Sequence, residues 1–320
     1  MVVSEHYPYN LPAPFYPPSR SSRIVKTQKT KGAALTLGAS VLWGTSFVAV
    51  SIGLQFASPY QLLFERFLVA GISVLVAGAF SRSARIWSGL ADPRIWMVGV
   101  VYTAAFLFQF VGQSLSGASM SALLSNLFVV FVPVVAYFAL KERLGRMAMS
   151  GVLLGIIGIV LVYSSSLSTQ GTAFGDLLLM GSALGYTAFI VLGKKLDLSS
   201  LSSSFSLMVT MAVLSAPVAF IADGSVPLAG FLRPEGLASV LWLGLPCTVF
   251  ALAMYTKGLA SIGAAQSAVL LLMEIIVGMA LSIVVLGESL SLVQWVGAGA
   301  IGISIVLCQQ LRRDTNHRLR

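Results

Sequence analysis

Charged residues are scarce in this sequence. Of 320 residues, 11 are acidic and 20 are basic, or 10% together, whereas a soluble domain carries about 25%. A soluble protein this poor in charge could not cover its surface with polar groups, but lipid solvates apolar side chains. With 57% hydrophobic residues and a mean hydropathy of +0.90, the composition excludes an ordinary soluble domain and predicts an integral membrane protein.

Cysteine and histidine are almost absent, with two of each. Cys247 and Cys308 lie in or at the end of separate apolar stretches, so we interpret them as small core residues rather than a disulfide or metal pair. No P-loop, HExxH or GxSxG motif occurs. Residues 297–302 match the dinucleotide fingerprint by letter, but they lie in an apolar stretch without a preceding strand, which favours helix packing. We therefore expect no metal and no cofactor.

Ten apolar stretches have the length of a membrane span, which is about 20 residues at a rise of 1.5 Å each. We place these spans at residues 33–54, 60–80, 95–115, 118–140, 147–163, 175–192, 201–222, 237–256, 262–286 and 292–310. Short connections predict antiparallel neighbours. Residues 1–30 are rich in proline and lack a signal-peptide core, so we expect a disordered cytoplasmic tail there. Residues 311–320 form a basic cytoplasmic tail in this interpretation.

The basic residues follow the predicted connections. If the amino terminus is cytoplasmic, every basic residue lies in a segment that faces the cytoplasm except Arg233, in an outer loop, and Arg66, inside the second span. Lys and Arg resist translocation, so the pattern predicts a multi-pass protein of the plasma membrane with both termini inside. It also explains the net charge of +9 without a nucleic-acid partner.

The chain repeats itself at an offset of 146 residues. The segment that begins at Ser116 and runs to Lys141-Glu142 resembles the segment from Ser261 to Gly287-Glu288. Each half, at residues 31–163 and 173–310, contains five predicted spans. Because five is odd, equivalent helices cross the bilayer in opposite directions. The expected fold is therefore all-α, with ten transmembrane helices as two inverted five-helix repeats, an arrangement that supports alternating access.

Short motifs in this order resemble the drug/metabolite transporter superfamily, in particular its ten-helix EamA-like family, over about residues 31 to 310. The motifs are Leu42-Trp43-Gly44, Phe64-Glu65-Arg66-Phe67, Ala122 to Pro133 with Lys141-Glu142-Arg143-Leu144, and Met273-Glu274 with Leu286-Gly287-Glu288. Ile275 departs from the family, since many second repeats have proline there, and this argues against a helix break at Glu274. The resemblance implies transport of amino acids, other metabolites, nucleotide sugars or drugs, commonly outward in bacteria.

Ionisable groups inside spans need an explanation, because each costs about 2.5 to 3.5 kcal/mol to insert. Glu274 lies about 18 Å from the inner end of its span, and Arg66 about 10 Å below the outer end of its own. Glu274 is the candidate for binding an amine or a proton, and Arg66 for its partner or for anchoring a carboxylate. A fixed Glu–Arg pair joining the halves is the alternative. Glu65 can turn toward the outer interface.

Five further polar or aromatic residues are candidates for substrate binding. For each one the alternative is a purely structural role in helix packing, because aromatic and amide side chains often serve only that purpose in membranes. The five are Trp43, Tyr102, Gln109, Asn126 and Tyr186.

The sequence thus predicts a secondary transporter, not an enzyme, that exports an amino acid or a related amphiphile by alternating access. A gradient would supply the energy, with Glu274 as the candidate for proton coupling and facilitated diffusion left open. The expected partners are a small-molecule substrate and the lipid bilayer, with protons if transport is coupled, and the oligomeric state is open between monomer and dimer. A membrane-embedded enzyme and a structural or assembly subunit are the competing hypotheses.

Overall fold

The computed structural model describes residues 20–81, 89–141, 146–164, 172–198, 200–224, 228–286 and 291–310. Every regular element in these ranges is helical. The α-helices are α1 Arg20–Gly53, α2 Pro59–Ser81, α3 Pro93–Ser125, α4 Phe128–Leu140, α5 Arg146–Ser164, α6 Ala173–Lys195, α7 Leu201–Asp223, α8 Pro234–Gly244, α9 Ala251–Ile262, α10 Ala264–Leu270, α11 Met273–Leu286 and α12 Leu292–Gln310. A 3-10 turn, Ala229–Leu232, precedes α8, and a π-helical turn, Leu245–Phe250, joins α8 to α9.

The helices have the lengths and composition that a bilayer requires. In the described ranges, seven helical stretches are long and apolar enough to cross a membrane. Shorter apolar helices at Phe131–Leu140, Met149–Leu161 and Trp295–Ser304 fall within the remaining predicted spans. The protein is therefore an all-α membrane protein, as the composition predicts.

The first helix is longer than predicted. α1 begins at Arg20, so the prediction of a disordered tail is wrong for residues 20–30. These residues precede the apolar stretch without any proline, so nothing stops the helix from extending beyond its apolar part. Residues 1–19, the tail at 311–320 and the Glu142 and Glu288 motifs lie outside the described residues.

Spans four and nine are both broken, at matching places. Each of them starts at a glycine in a backbone conformation that L side chains rarely adopt. Gly117, at a kink inside α3, has φ 82°, and Gly263, between α9 and α10, has φ 87°. Each span breaks again eight or nine residues later, at residues 126–127 and at 271–272. The sequence argued against a break near Glu274 because Ile275 replaces proline, and this expectation is wrong. Pro133 lies inside α4 instead.

The two halves interlock rather than sit side by side. The third helix of the first half, α3, packs along α6, the first helix of the second half. In the same way α1, the first helix of the first half, packs along α9, which belongs to the third span of the second half. α2 packs on α7, and α5 on α12, each pair joining equivalent helices of the two halves. A Cβ on Gly158 would lie 2.8 Å from the Gly297 carbonyl oxygen, so glycine allows α5 and α12 this close approach. Gly299 has no such neighbour.

The π-helical turn changes the backbone hydrogen bonds beside the interface between the halves. Pro246 lacks an N–H group, which interrupts the α-helical ladder. The Ala251 N–H then donates to the carbonyls of Pro246 and Thr248 rather than to Cys247. The Cys247 carbonyl, which would normally accept from Ala251, is therefore available to side chains of the other half.

Candidate functional site

A cavity lies between the two halves. The seven residues proposed from the sequence come from five different helices and one helix break, and all seven line it: Trp43, Arg66, Tyr102, Gln109, Asn126, Tyr186 and Glu274. The fold thus brings together residues up to 231 positions apart, since 274 − 43 = 231. We call this space the central cavity.

Arg66 is held by the second half of the chain. Its guanidinium donates from Nε to Thr248 Oγ1 at 2.8 Å and from Nη2 to the Cys247 carbonyl at 3.1 Å. Its Cζ lies 4.5 Å from the centroid of the Phe106 ring, within the range of a cation–π interaction. The residue is 1% exposed. These contacts fix a positive charge at the cavity wall.

Thr248 and Cys247 do not saturate the guanidinium. An arginine side chain carries five N–H donors, and the described residues accept from two of them. A cavity-lining arginine with unused donors suits a bidentate anion such as a carboxylate.

Glu274 lies in the first turn of α11, immediately after the break at residues 271–272. It is 9% exposed and lines the same cavity. No described residue donates a hydrogen bond to its carboxylate or pairs with it within 4.0 Å. A carboxyl group placed in a membrane protein without a fixed partner is a candidate for binding a cation or a proton.

Arg66 and Glu274 therefore do not form the fixed ion pair that was one of the two interpretations of the sequence. Among the described residues the ion pair is that of Arg94 with Asp92, near the start of α3. The two cavity charges instead stand apart on opposite halves of the chain, each open to a third partner.

Aromatic rings make up much of the remaining wall. Tyr102 stacks on Phe189, with ring centroids 3.7 Å apart and planes 3° from parallel. The Trp43 ring lies 5.3 Å from that of Tyr255, and its Nε1 donates to the Cys247 carbonyl at 2.7 Å. Such rings offer a large apolar surface and faces that attract cations.

Two amide side chains add polar groups to the wall. The Tyr186 hydroxyl donates to Gln109 Oε1, which joins the halves across the cavity. Asn126 lies at the break between α3 and α4, where its Nδ2 donates to the Ala122 carbonyl at 2.7 Å. Its Oδ1 is buried and has no hydrogen-bond partner among the described residues. Gln109 thus has a structural bond, whereas Asn126 keeps an unused acceptor.

The cavity has further lining residues that are not among the predicted site residues: Ser46, Phe106, Ser125, Phe128, Phe189, Ile190, Tyr255 and Leu271. Two of them could have been found from the internal repeat. Phe128 is 146 residues before Glu274, and Tyr255 is 146 residues after Gln109. Each is thus the repeat equivalent of a candidate that the sequence did identify.

Glu65, although adjacent to Arg66, does not line the central cavity. Its carboxylate turns toward the connection between α7 and α8, where Oε1 accepts from the Gly230 N–H at 2.8 Å. Its Oε2 is buried and has no hydrogen-bond partner among the described residues. Glu65 therefore fastens this connection to α2 rather than contributing to the cavity.

An all-α membrane fold with two repeats around a polar and aromatic cavity is the architecture of a membrane transporter. The EamA-like transporter family model matches the chain twice, at residues 30–164 and 173–308. The chain belongs to this family. The two matches correspond to the two halves predicted from the sequence.

Several relatives cover most of this chain. It is 28% identical to an uncharacterized transporter of Archaeoglobus fulgidus, over 74% of this chain and 81% of that one. It is 25% identical to a protein of Salmonella typhimurium named "Probable amino-acid metabolite efflux pump", over 84% and 91% of the two chains. A crystal structure with 19% identity aligns with a TM-score of 0.74 over 89% of this chain and 98% of the other, which shows a shared fold.

Proposed function

We propose that this protein is a secondary transporter that exports an amino acid or a closely related amphiphile across the cell membrane. One observation carries the proposal. Arg66 and Glu274 line one cavity with opposite charges, and no ion pair joins them. A zwitterion carries both complementary charges, so its carboxylate would bind Arg66 and its ammonium group Glu274.

The rest of the wall favours an apolar or aromatic side chain on that zwitterion. Tyr102, Phe106 and Phe128 line the cavity and would pack against such a group. The unused Asn126 Oδ1 acceptor is a second site for the ammonium group. The names of the Salmonella relative and of an Escherichia coli relative with the same name, 24% identical, support amino-acid cargo and outward transport.

Alternating access would follow from the inverted repeats. The breaks in spans four and nine, beside Asn126 and Glu274, are places where the halves of a helix can tilt against each other. We propose that both termini are cytoplasmic, as the loop charges predict, and that protonation of Glu274 couples transport to the proton gradient. Cargo and proton would then compete for one carboxylate.

Flux into proteoliposomes tests the proposal. The purified protein should carry radiolabelled phenylalanine faster than it carries either phenethylamine, which lacks the carboxylate, or phenylpropionate, which lacks the ammonium group. A pH gradient across the liposome should change the steady-state accumulation if proton coupling is correct. Equal rates for the three compounds would contradict the assignment of Arg66 and Glu274 to a zwitterion.

The same experiment separates the competing hypotheses. A structural or assembly subunit would show no flux for a broad metabolite panel, and a membrane-embedded enzyme would convert compounds rather than move them. Accumulation without a response to the pH gradient would retain transport but exclude proton coupling.

A further inference from the structure

A second cavity lies close to the central cavity. It is enclosed by α3, α6, α7 and α9, with a mainly apolar wall and a few hydroxyl groups. Its lining includes Ile95, Val98, Gly193, Ser204, Thr256 and Leu259. The proposed function does not use this space.

The second cavity lies nearer to one membrane face than the central cavity does. On α3, Ile95 and Val98 precede the central-cavity residue Tyr102 by seven and four positions, or about 10 and 6 Å. On α6, Gly193 follows Phe189 by four positions, about 6 Å toward the end of the helix. Because α3 starts and α6 ends at this face, the two helices place the second cavity on the same side.

One side chain lines both cavities. Phe189 belongs to the wall of the central cavity and to the wall of the second cavity. Its ring stacks on that of Tyr102, which belongs to the first half of the chain, with the ring centroids 3.7 Å apart. The centroid of the Tyr255 ring lies 6.3 Å away. This side chain and its stacking partner therefore form a partition that one rotamer change could open.

A lysine side chain bonds two helices together at the end of the second cavity that lies away from the central cavity. Lys194, next to the lining residue Gly193, donates from Nζ to the carbonyls of Leu259 and Ala260 at 3.1 and 3.4 Å. The contact places a positive charge at the carboxyl end of α9, where it is favourable. It fastens the end of α6 to the end of α9 at this membrane face.

We propose that Phe189 is the inner gate of the transport path and that the second cavity is the vestibule through which cargo enters from the cytoplasm. The proposal rests on the proposed function and deepens it. Cargo would pass Lys194, enter the vestibule, and reach the central cavity when Phe189 leaves its stack on Tyr102. The apolar wall suits the side chain of the amphiphilic cargo.

Thiol labelling tests the gate without any cargo. Ser46, a lining residue of the central cavity, is replaced by cysteine in the full-length protein, and a membrane-impermeant thiosulfonate is applied to either face in spheroplasts and in inverted vesicles. The parent protein, with its two natural cysteines, gives the background labelling. Lys195→Cys, at an exposed position beside the vestibule, marks the vestibule face.

With Phe189 present, we expect Ser46→Cys to react slowly from the vestibule face. Phe189→Ala should raise that labelling rate by about tenfold, the size expected for loss of an aromatic stack. Phe189→Tyr should restore slow labelling. Phe174→Ala, on the same helix at a position 62% exposed, is the matched control and should leave the rate unchanged. If Phe189→Ala does not fold, Phe189→Leu replaces it in the experiment, with a smaller expected increase in the labelling rate.

A labelling rate that stays slow in a folded Phe189→Ala or Phe189→Leu variant would overturn the gate. So would fast labelling of Ser46→Cys from the vestibule face with Phe189 intact. Transport gives the second measurement: Phe189→Ala should retain downhill flux but lose accumulation against a gradient. Failure of transport for every metabolite, with the labelling result as expected, would refute the proposed function and leave the partition between the cavities in place.

Discussion

Replacing Arg66 tests how the central cavity recognises its cargo. Arg66→Gln removes the positive charge and most of the donors but keeps a polar side chain of similar reach. The two groups that accept hydrogen bonds from Arg66 keep other hydrogen-bond partners in the variant. Thr248 Oγ1 still donates to the Leu243 carbonyl at 2.8 Å, and the Cys247 carbonyl still accepts from Trp43 at 2.7 Å. We therefore expect the variant to fold.

The size of the effect follows from the donors that remain on the guanidinium. A hydrogen bond to a charged group contributes about 1.5–3 kcal/mol, so a carboxylate bound by Arg66 should be favoured over a neutral amide by roughly 10- to 150-fold in affinity. In Arg66→Gln, this preference should fall close to one, because neither the carboxylate nor the amide then meets a positive charge.

The assay compares two cargoes in two proteins. The amino acid that is carried fastest in proteoliposomes and its amide compete with the same labelled cargo at about pH 6, where both keep a charged ammonium group. Arg94→Gln is the matched control, since Arg94 is an exposed arginine whose partner is Asp92 rather than a cavity group. It should keep the preference of the parent protein.

An unchanged preference in Arg66→Gln would refute the reasoning, provided that the variant still transports. The same conclusion would follow if Arg94→Gln lost the preference to the same extent, since the effect would then not be specific to the cavity.

Three other predictions address the site and its support. Glu274→Gln should weaken transport of the zwitterion and remove its response to pH, measured as flux across a pH series; a parental pH profile would exclude this carboxylate as the coupling group. Gly44→Ala would place a Cβ 2.8 Å from the Glu274 carbonyl oxygen, and should cost about 1–3 kcal/mol by overpacking, whereas Gly299→Ala, with no atom within 4 Å, should melt like the parent; equal melting temperatures for both would contradict the contact. Gly230→Ala would place a Cβ against Glu65 Oε2 and should destabilise by a similar amount, because Glu65 is buried and bonded to the Gly230 N–H; in a double-mutant cycle Glu65→Ala should relieve part of that loss, and full additivity in thermal unfolding would argue against the clash.

Several features of this protein were predictable because they depend on patterns in the sequence and not on contacts between distant segments. The apolar stretches, the offset of 146 residues and the family motifs predict an all-α membrane protein with two repeats. Arg66 and Glu274 stood out for the same reason, since a charge inside an apolar span has a cost that any fold must compensate. The repeat could also have identified Tyr255 as a lining residue of the central cavity, because Tyr255 is the repeat equivalent of Gln109.

Other features depend on contacts between distant segments and were not predictable. The break before Glu274 forms without the expected proline, since the turn at residues 271–272 lies where α1 packs against α10 and α11. Ser40 of α1 donates to the Leu271 carbonyl at 2.9 Å, a carbonyl that also accepts from the Glu274 N–H at 2.9 Å, so α1 adds a long-range hydrogen bond to the turn. No local pattern reveals such a partner 231 residues away.

The sequence by itself therefore determined the class of protein, the helices and the chemistry of the candidate side chains, because hydropathy, charge and repetition are properties of the chain. Only the tertiary structure decided that Arg66 bonds to the π-helical turn instead of to Glu274, and that Phe189 stands between two cavities. Both depend on how the halves interlock, which sets the distances between side chains that the sequence leaves far apart.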